Sequence, residues 1–306
     1  MNFPNIKGIS YHYKSVSVEH LEDLQEDFDR LNREGILSNH ETFRYYLSNK
    51  RFTIPETLPD AKSLIVLATS TRMMNANFHL NGKVYDIMVP PPYFEDGLIF
   101  EDLDDLILNE IIKKPGYEIV KVRNQLHLKL LAVRSGLGTY GRNNICYIEG
   151  MGSFCTLHAY YTNYKMESDS WHELKMMDNC ENCTYCINNC PTNAIRGDPF
   201  VIDAGKCLPL YNEIDGEIPK WMNKNIHHSL MGCMICQYNC PGNKEEIKNA
   251  GRFEDISEEE TKMLLNGDFN EELASILSSK INMTYGKEFL PRLRRNLELI
   301  INRSSS

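Results

Sequence analysis

Ten cysteines stand out in this 306-residue sequence, because eight of them fall into two spaced groups. The first group is Cys180, Cys183, Cys186 and Cys190, and its last member precedes a proline. The second group is Cys207, Cys233, Cys236 and Cys240, and its last member also precedes a proline. Thiolates at the first spacing can reach three corners of one iron–sulfur cubane, while the cysteine before proline turns away to ligate another cluster. The spacing therefore predicts two [4Fe–4S] clusters and a role in electron transfer or reduction.

Each of the two groups supplies its last cysteine, the one before proline, to the cluster that is bound mainly by the other group. The predicted ligands of cluster one are Cys180, Cys183, Cys186 and Cys240, and those of cluster two are Cys190, Cys207, Cys233 and Cys236. Zinc is the alternative, but four tetrahedral ligands do not require three cysteines within seven residues followed by Cys-Pro. Cys207 lies 26 residues before Cys233, so its loop must fold back to supply a ligand. The remaining two cysteines, Cys146 and Cys155, lie in apolar surroundings and are predicted to pack in the core.

The composition is that of a folded globular protein, with 42% hydrophobic and 25% charged residues. The N-terminus has no signal-peptide core and no stretch is apolar enough for a membrane helix, so we expect a cytoplasmic protein without a membrane partner. In a reducing compartment ten cysteines favour metal or redox chemistry over disulfides. The net charge of -9 argues against generic nucleic-acid binding.

Helices and strands alternate in the residues that precede the cysteine segment. Apolar residues spaced by three or four predict a helix over 18–31, and a buried apolar run predicts a strand over 63–68. The segment 75–97 contains Asn, Gly and three successive prolines, and is predicted to be a loop-rich cover. Further helices are predicted over 103–111 and 124–135, and a strand over 156–161. After the cysteines, Ser257 and Glu260 have the spacing of a capping box, and a last helix is predicted over 292–301.

The sequence segments around the cysteines resemble those of a known protein family. Cys-Pro-Thr-Asn-Ala-Ile at 190–195 and Gly-Cys-Met-Ile-Cys-Gln-Tyr-Asn-Cys-Pro-Gly-Asn at 232–243 are similar to the double-cluster domain of epoxyqueuosine reductases and, more distantly, of cobalamin-dependent reductive dehalogenases. The resemblance extends to Ala-Val-Arg-Ser-Gly-Leu-Gly-Thr-Tyr-Gly-Arg-Asn at 132–143. It implies an α+β fold, in which a nitroreductase-like α/β domain holds cobalamin and a ferredoxin-like domain passes electrons to it.

The resemblance also implies three segments and a set of cofactor contacts. The segments are an α/β domain over 1–170, a double-cluster domain over 171–245 and a helical tail over 246–306 that packs on the core. The residues expected against the corrin ring lie in the glycine-rich turns: Gly136, Gly138, Gly141, Arg142, Asn143, Gly152 and Ser153. Without the resemblance, the same glycines indicate only tight turns.

The sequence departs from the family where the family carries its acid. Val122 occupies the position of the family's aspartate, with Arg123 beside it, and the family's Glu-Arg pair corresponds to Leu128 and Lys129. Tyr140, His127 and Lys129 are therefore the candidate proton donors, with Arg134 or Arg142 available to lower the pKa of Tyr140. Their alternative roles are packing for Tyr140, a surface position for His127 and a solvated charge for Lys129.

Three functions remain open at this stage. The first is a cobalamin-dependent reductase of a small molecule, fed by a low-potential donor such as ferredoxin or flavodoxin. The second is a redox partner that reduces a cofactor on another protein, with 88–97 as a docking surface, and the third is a divergent epoxyqueuosine reductase. Only 66 residues follow Cys240, too few for the tRNA-binding repeats of longer members. With the acidic charge, this predicts that tRNA is an unlikely partner.

Overall fold

A computed structural model describes residues 3–94, 97–197, 201–283 and 286–303. The chain divides into two compact units. The first unit comprises residues 1–71, 97–184 and 195–205, and the second comprises 72–96, 185–194 and 206–306. Residues 72–96 are thus grouped with the C-terminal third of the chain. The predicted boundaries at residues 170 and 245 stay predictions.

The first unit is a mixed helix and strand structure. Its strands are β1 (Asn5–Ile6), β2 (Ile9–Ser17), β3 (Ser63–Ser70), β6 (Ile119–Lys121), β7 (Thr139–Tyr140), β8 (Cys146–Tyr147) and β9 (Cys155–Thr162). Strands β4 (Met74–Leu80) and β5 (Lys83–Val89) belong to the second unit. Its helices are α1 (Leu21–Arg33), α2 (Glu41–Ser48), α3 (Phe100–Asp105), which continues as a π-helix over Leu106–Ile112, and α4 (Leu128–Arg134). The fold class predicted from sequence, α+β, is confirmed.

One antiparallel sheet organises this unit, with strand order β1-β2-β3-β9-β6. The central strand β3 is buried almost throughout, as its apolar run predicts. Side chains alternate along a strand, so Leu64 and Val66 enter a core with α1 and α4, while Ile65 and Leu67 enter a second core with α3 and the π-helix. Helices therefore cover both faces of the sheet.

Two of these helices differ from their predicted limits. The helix predicted over 18–31 begins as a short 3₁₀ turn at Val18–His20 and continues as α1, whose residues Leu21, Leu24 and Phe28 contact the core. The predicted helix over 124–135 begins only at Leu128. It ends where predicted, because Gly136 has φ 70°, a left-handed conformation that favours glycine.

The second unit combines a small sheet with several helices. Its remaining elements are α5 (Tyr185–Asn189), α6 (Leu208–Glu213), α7 (Ile235–Tyr238), β10 (Gly251–Arg252), α8 (Glu258–Asn266), α9 (Glu271–Ile281) and α10 (Leu290–Arg303). The sheet has the order β10-β4-β5. Its apolar face packs on α8, α9 and α10 around Phe78, Leu264, Leu277 and Leu297. Ser257 and Glu260 form the predicted capping box of α8.

The prediction of a loop-rich segment over 75–97 is wrong for most of that range. Strands β4 and β5 form a hairpin, paired from Met74 with Val89 to Leu80 with Lys83. Asn81 and Gly82 form its turn with φ of 51° and 71°, the left-handed values that a tight hairpin requires. Every second residue of β4 is buried, so the alternation and the Asn-Gly pair were the missed signals. Residues 95 and 96 lie outside the described residues.

Among the residues that the structure describes, we find no helix with the length and apolar character needed to cross a membrane.

Candidate functional site

All ten cysteines lie within the described residues, and all carry thiols that are not joined in disulfides. Short helices present most of the eight that are predicted to bind clusters: Cys180 ends a 3₁₀ turn, Cys186 lies in α5, Cys236 lies in α7, and Cys207 precedes α6. Cys240 immediately precedes a further 3₁₀ turn that opens with Pro241. The prolines after Cys190 and Cys240 thus follow the fourth cysteine of each group, as the ferredoxin pattern requires.

The surroundings of these thiols suit bound thiolates. The backbone N–H of Arg142 donates to Cys180 Sγ at 3.5 Å, and that of Ala194 donates to Cys190 Sγ at 3.3 Å. Burial, together with the nearby thiols of Cys236 and Cys190, raises the pKa of Cys233 to about 12. A buried thiol of this kind becomes a thiolate when a metal binds it, because ligation displaces the proton.

Within the described ranges, no three His, Cys, Asp or Glu side chains are placed to hold a single metal ion. A [4Fe–4S] cluster differs from such a site, because each of its four irons takes one thiolate and the four ligands need not converge on one atom. The three thiols that lie close to one another in the second unit, Cys190, Cys233 and Cys236, belong to the predicted ligand set of cluster two.

A buried polar network braces the loop that carries Cys207. The Arg295 guanidinium of α10 donates to four backbone carbonyls in the segment that follows Cys207, at 2.6–3.2 Å. Two of these carbonyls belong to α6 and two lie just after it: Tyr211, Asn212, Ile214 and Gly216. The side-chain amide of its neighbour, Asn296, donates to the carbonyls of Asn212 at 3.0 Å and Leu230 at 2.6 Å. Two segments of the second unit are thereby attached to one helix.

Asn212 completes this bracing. Its buried side-chain amide donates to the Gly232 carbonyl at 2.8 Å, and the Ser229 hydroxyl donates to the same oxygen at 3.0 Å. Gly232 directly precedes Cys233, so the loop after Cys207 and the turn before Cys233 are fixed to each other. The predicted ligands Cys207 and Cys233, 26 residues apart in sequence, thus lie next to segments that are bonded to each other.

The three candidate proton donors, Tyr140, His127 and Lys129, line one pocket of the first unit, about 510 Å³ in volume. Its walls come from α1, α2, the segment 123–130 and residues 201–204, and many of them are apolar. Arg123 also lines the pocket, directly after Val122, the position where the family resemblance places an aspartate. Its volume is that of a small-molecule site.

Burial governs the phenol of Tyr140. The side chain is 5% exposed, and burial raises its pKa, with the nearby Cys146 and Asp27 adding to the rise. The two arginines proposed to lower this pKa are engaged elsewhere. Arg134 pairs with Asp27 through two contacts of 2.8 Å, and Arg142 contacts the carbonyls of the cysteine segment. Tyr140 is therefore a protonated phenol at neutral pH.

His127 is a buried, neutral imidazole and not a surface residue. Its pKa falls to about 4, because burial disfavours the charged ring and Lys50 and Lys129 repel a proton. The ring packs beside Phe28 and Phe52, and Nε2 has no hydrogen-bond partner among the described residues. At neutral pH the ring is therefore not protonated and does not act as an imidazolium proton donor.

Lys129 is fixed by the turn that follows strand β7. Its ammonium donates to the backbone carbonyl of Asn144 at 2.8 Å and to the Asn144 side-chain oxygen at 3.0 Å. Asn144 has φ 60°, a left-handed conformation that asparagine tolerates. Lys129 therefore brings a positive charge to the pocket and is not simply a solvated surface residue.

Asp27 is a pocket residue that the sequence did not reveal. Among the described residues that line the pocket it is the one carboxylate, and it lies near Tyr140. It pairs with the Arg134 guanidinium, and Arg30 lies 3.7 Å from it. Its position between Leu24 and Leu31 on the apolar side of α1 was the available signal, since a charge there is buried and must be paired.

The glycines that were expected to contact a corrin ring pack against the protein itself. A Cβ on Gly136 would meet the His172 ring at 2.6 Å, and one on Gly138 would meet Cys146 Sγ at 2.7 Å. A Cβ on Gly141 would meet the Tyr147 ring at 2.5 Å. Close packing within the first unit thus accounts for these three glycines, and they give no support for a corrin contact.

The other residues expected at the corrin are also engaged. Arg142 donates to the carbonyls of Cys180 at 2.5 Å and Cys183 at 3.1 Å, which attaches the first cysteines to the first unit. Asn143 is buried and donates to the Tyr147 hydroxyl at 3.0 Å. Gly152 pairs with Ile148 in an isolated bridge, and Ser153 is half-buried beside it. The residues of this set therefore do not form a recognisable cobalamin cradle.

The two remaining cysteines pack in the core of the first unit, as predicted. Cys146 is buried, and Cys155 is partly buried against the same cluster of apolar side chains. Burial raises the pKa of both thiols, that of Cys155 to about 12, so both are unreactive thiols at neutral pH.

Comparison with known proteins identifies the cysteine segment and the whole chain. Residues 179–243 match the 4Fe-4S double cluster binding domain. The epoxyqueuosine reductase of Cellulophaga algicola is 31% identical over 244 residues, which cover 78% of this chain and 77% of the relative. The chain belongs to the epoxyqueuosine reductase family.

Other members of the epoxyqueuosine reductase family support this. The enzyme of Atelocyanobacterium thalassa is 28% identical over 252 residues, 79% of this chain and 78% of the relative. That of Bacillus subtilis is 28% identical over 261 residues, 80% of this chain but only 65% of the longer relative. A solved epoxyqueuosine reductase from Streptococcus thermophilus has the same fold, with a TM-score of 0.65 at 18% identity over 96% of this chain and 78% of that one. The chain is thus an iron–sulfur oxidoreductase with two [4Fe–4S] clusters.

The prediction that tRNA is an unlikely partner is wrong. The relatives are epoxyqueuosine reductases, and a solved epoxyqueuosine reductase with the same fold contains an epoxyqueuosine-modified stem loop of tRNA-Tyr. That structure has a TM-score of 0.63 at 21% identity over 98% of this chain and 78% of that chain. The error came from using total charge and chain length, neither of which describes the local surface around a pocket.

Proposed function

We propose that this chain is a divergent epoxyqueuosine reductase, which uses its two clusters to reduce an epoxide carried by tRNA. The observation that supports this most directly is the pocket of the first unit, where Tyr140, His127 and Lys129 come together beside Arg123. The epoxyqueuosine reductase family supplies the substrate class.

The reaction sets the demands on the site. Reduction of an epoxide takes two electrons and two protons, and the two electrons can come one from each reduced cluster. A low-potential electron donor such as ferredoxin or flavodoxin then reduces the oxidised clusters again. If the oxygen leaves as water, both C–O bonds break, the two electrons form a carbon–carbon double bond and both protons end on the oxygen. The first proton must reach the oxygen as the first C–O bond breaks and negative charge develops there.

Tyr140 is the proposed donor of that proton. A phenol is protonated at neutral pH, burial keeps Tyr140 in that form, and the residue lies in the walls of the pocket. The Lys129 ammonium lines the same pocket and stabilises negative charge, whether on the substrate oxygen or on the phenolate left behind. Solvent then returns the proton to Tyr140.

Cobalamin enters this proposal only through the family resemblance. When bound, it would supply a cobalt centre between the clusters and the substrate. The residues expected to hold it are engaged with their own chain, so the reaction above assigns no step to it.

A small-molecule substrate is the second candidate function. The pocket volume of about 510 Å³ would also accommodate a free nucleoside or a compound of similar size. The two candidates differ in whether the polynucleotide is required.

Single-turnover reduction tests both. The anaerobically reconstituted chain, reduced with dithionite, is mixed with tRNA that carries epoxyqueuosine, with and without added cobalamin, and the nucleosides are measured by mass spectrometry. We expect loss of the epoxide from tRNA and little change in the free nucleoside. Equal turnover of the two favours the small-molecule candidate, and no turnover of either, with both clusters reduced, refutes the reductase proposal.

Ultraviolet–visible titration of the same preparation with cobalamin is the separate test of that cofactor. A spectral change that saturates at micromolar cobalamin supports its place in the reaction. No change, combined with turnover, removes cobalamin from the proposal and leaves the reduction itself intact.

A further inference from the structure

Two adjacent tyrosines are exposed at the mouth of the pocket. Tyr45 is 67% exposed and Tyr46 is 56% exposed, both on α2. Tyr46 lines the pocket, and the two ring centroids lie 6.1 Å apart. Single exposed aromatic residues are common on protein surfaces, whereas two adjacent exposed rings beside a pocket form a surface on which a flat ligand can stack.

Two cations, Lys50 and Arg51, follow these tyrosines in sequence. The Lys50 ammonium donates to the Asn124 carbonyl at 2.8 Å, and the backbone N–H of Arg51 donates to the Gln125 carbonyl at 2.9 Å. The end of α2 is thereby joined to the segment that carries the exposed Arg123. We call Tyr45, Tyr46, Lys50, Arg51 and Arg123 the pocket rim.

The rim is positive although the chain carries a net charge of -9. The pocket is lined by four cations, Arg30, Lys50, Arg123 and Lys129, and by the carboxylate of Asp27. Asp27 is already paired with Arg134, which is not among the lining residues, while Arg30 lies 3.7 Å from Asp27 and 3.9 Å from Glu34. Glu41, in the first turn, is the acidic residue of α2. The surface therefore favours a ligand with negative charge and flat rings.

We infer that the pocket rim binds the RNA strand on either side of the nucleotide whose base enters the pocket. Exposed aromatic rings stack with bases, and nearby cations contact phosphates, which is the usual combination for single-stranded nucleic acid. This inference rests on the proposed function for the identity of the partner. The inference goes beyond the proposed function by naming the residues that bind the polynucleotide. Neither the pocket volume nor the candidate acid identifies these residues.

Binding of a fluorescently labelled tRNA anticodon stem loop, measured by anisotropy at several salt concentrations, tests the rim. One variant combines Tyr45→Ala with Tyr46→Ala, and another combines Arg51→Gln with Arg123→Gln. The matched control combines Tyr13→Ala with Lys14→Gln, a pair of exposed residues on β2 of the same unit.

The tyrosine variant should weaken binding by about tenfold or more, since stacking on aromatic rings is a large part of single-strand affinity. The arginine variant should also reduce the slope of log K against log salt by about 0.7 for each phosphate that the rim no longer neutralises. The control should bind as the wild-type chain does. Iron content near eight per chain in every variant shows that the fold and clusters are intact.

Two outcomes would contradict the inference that the pocket rim binds RNA. One is wild-type affinity and an unchanged salt slope in both rim variants, and the other is an equal loss of affinity in the control. A wild-type chain that binds no stem loop also overturns it. Turnover of epoxyqueuosine tRNA in the same preparation decides the proposed function independently, because a chain can reduce tRNA without using this rim.

Discussion

Burial sets the proton affinities of the side chains that line the pocket. His127 and Tyr140 shift in opposite directions for one reason, since an apolar environment disfavours the imidazolium and the phenolate alike. Both side chains are therefore neutral at pH 7. The pocket offers a neutral donor and a neutral acceptor, with its positive charge supplied by lysine and arginine.

Replacing Tyr140 by phenylalanine tests its role as the proton donor. Loss of a general acid typically lowers the rate by about 10²–10⁴-fold, so single-turnover reduction of the tRNA epoxide should fall by that order. RNA affinity should be unchanged, because Tyr140 is a buried residue of the pocket wall and is not one of the exposed rim residues. The matched control is Tyr161→Phe, which removes a hydroxyl bonded to the Thr53 carbonyl in the same unit. Equal rates in Tyr140→Phe and the wild-type chain eliminate the assignment.

The His127 ring should titrate near pH 4 instead of near its usual 6.5. Because the folded pKa lies below the unfolded value, the unfolded chain binds this proton more readily. The resulting stability is complete above about pH 6.5 and is lost as the pH falls toward 4. Imidazole resonances followed by NMR, with oxidised clusters, give the midpoint directly.

A Lys50→Met variant sharpens this measurement. Lys50 is one of the two cations that lower the pKa of His127, so its removal should move the midpoint upward. Lys14→Met, an exposed lysine on β2, is the control and should leave it in place. A wild-type midpoint near 6.5 would show that the ring is exposed to water and not buried as described.

At the scale of elements, α10 acts on the clusters through the loop that it braces. Replacing Arg295 by methionine removes a guanidinium that binds four carbonyls and leaves them without that partner. We expect iron and sulfide to fall from near eight toward four per chain, with loss of the electron paramagnetic resonance signal of cluster two. Arg295→Lys should recover part of it.

Arg294→Gln is the control for this variant. Arg294 is the preceding residue of α10 and pairs on the surface with Glu298 at 2.9 Å, so its loss should affect neither cluster. Full iron content and an unchanged spectrum in Arg295→Met would show that the Cys207 loop keeps its position without α10.

Elements marked by local signals were predictable from the sequence. The buried strand β3 followed from its apolar run, the start of α8 from Ser257 and Glu260, and the cluster segment from its cysteine spacing. Hairpin β4–β5 was missed because the prolines that follow it drew more weight than the Asn81-Gly82 turn. Helix α9 was not predicted, although Asn270 caps it through a bond to the Leu273 N–H.

The pocket could be predicted only in part. Tyr140, His127 and Lys129 were selected as single residues, but their presence around one cavity depends on how α1, α2 and α4 pack. Asp27 was missed because α1 indicated only a packing helix. Tertiary contacts decide such pairings, and spacing in one sequence does not contain them.

At the scale of the whole molecule, the main cores of the two units are separate, and the segments of the units are interleaved in sequence. Hairpin β4–β5 belongs to the second unit and packs with the C-terminal helices, so the core of this unit combines segments that are far apart in sequence. Hydrogen exchange can show whether each core unfolds by itself. Leu297 and Leu131 are suitable probes, because each is fully buried in one of the two cores.

Leu297→Ala should destabilise the second unit by about 2–5 kcal/mol, since it leaves a cavity among buried side chains. Amide exchange should then accelerate in hairpin β4–β5, although the hairpin is distant from Leu297 in sequence, and remain slow in β3 and β9. Leu131→Ala is the reciprocal variant, with faster exchange in β3 and β9 and an unchanged hairpin. Equal acceleration of all four strands by either variant would mean that the two cores unfold as one, because a cavity in an independent unit affects only the contacts within it.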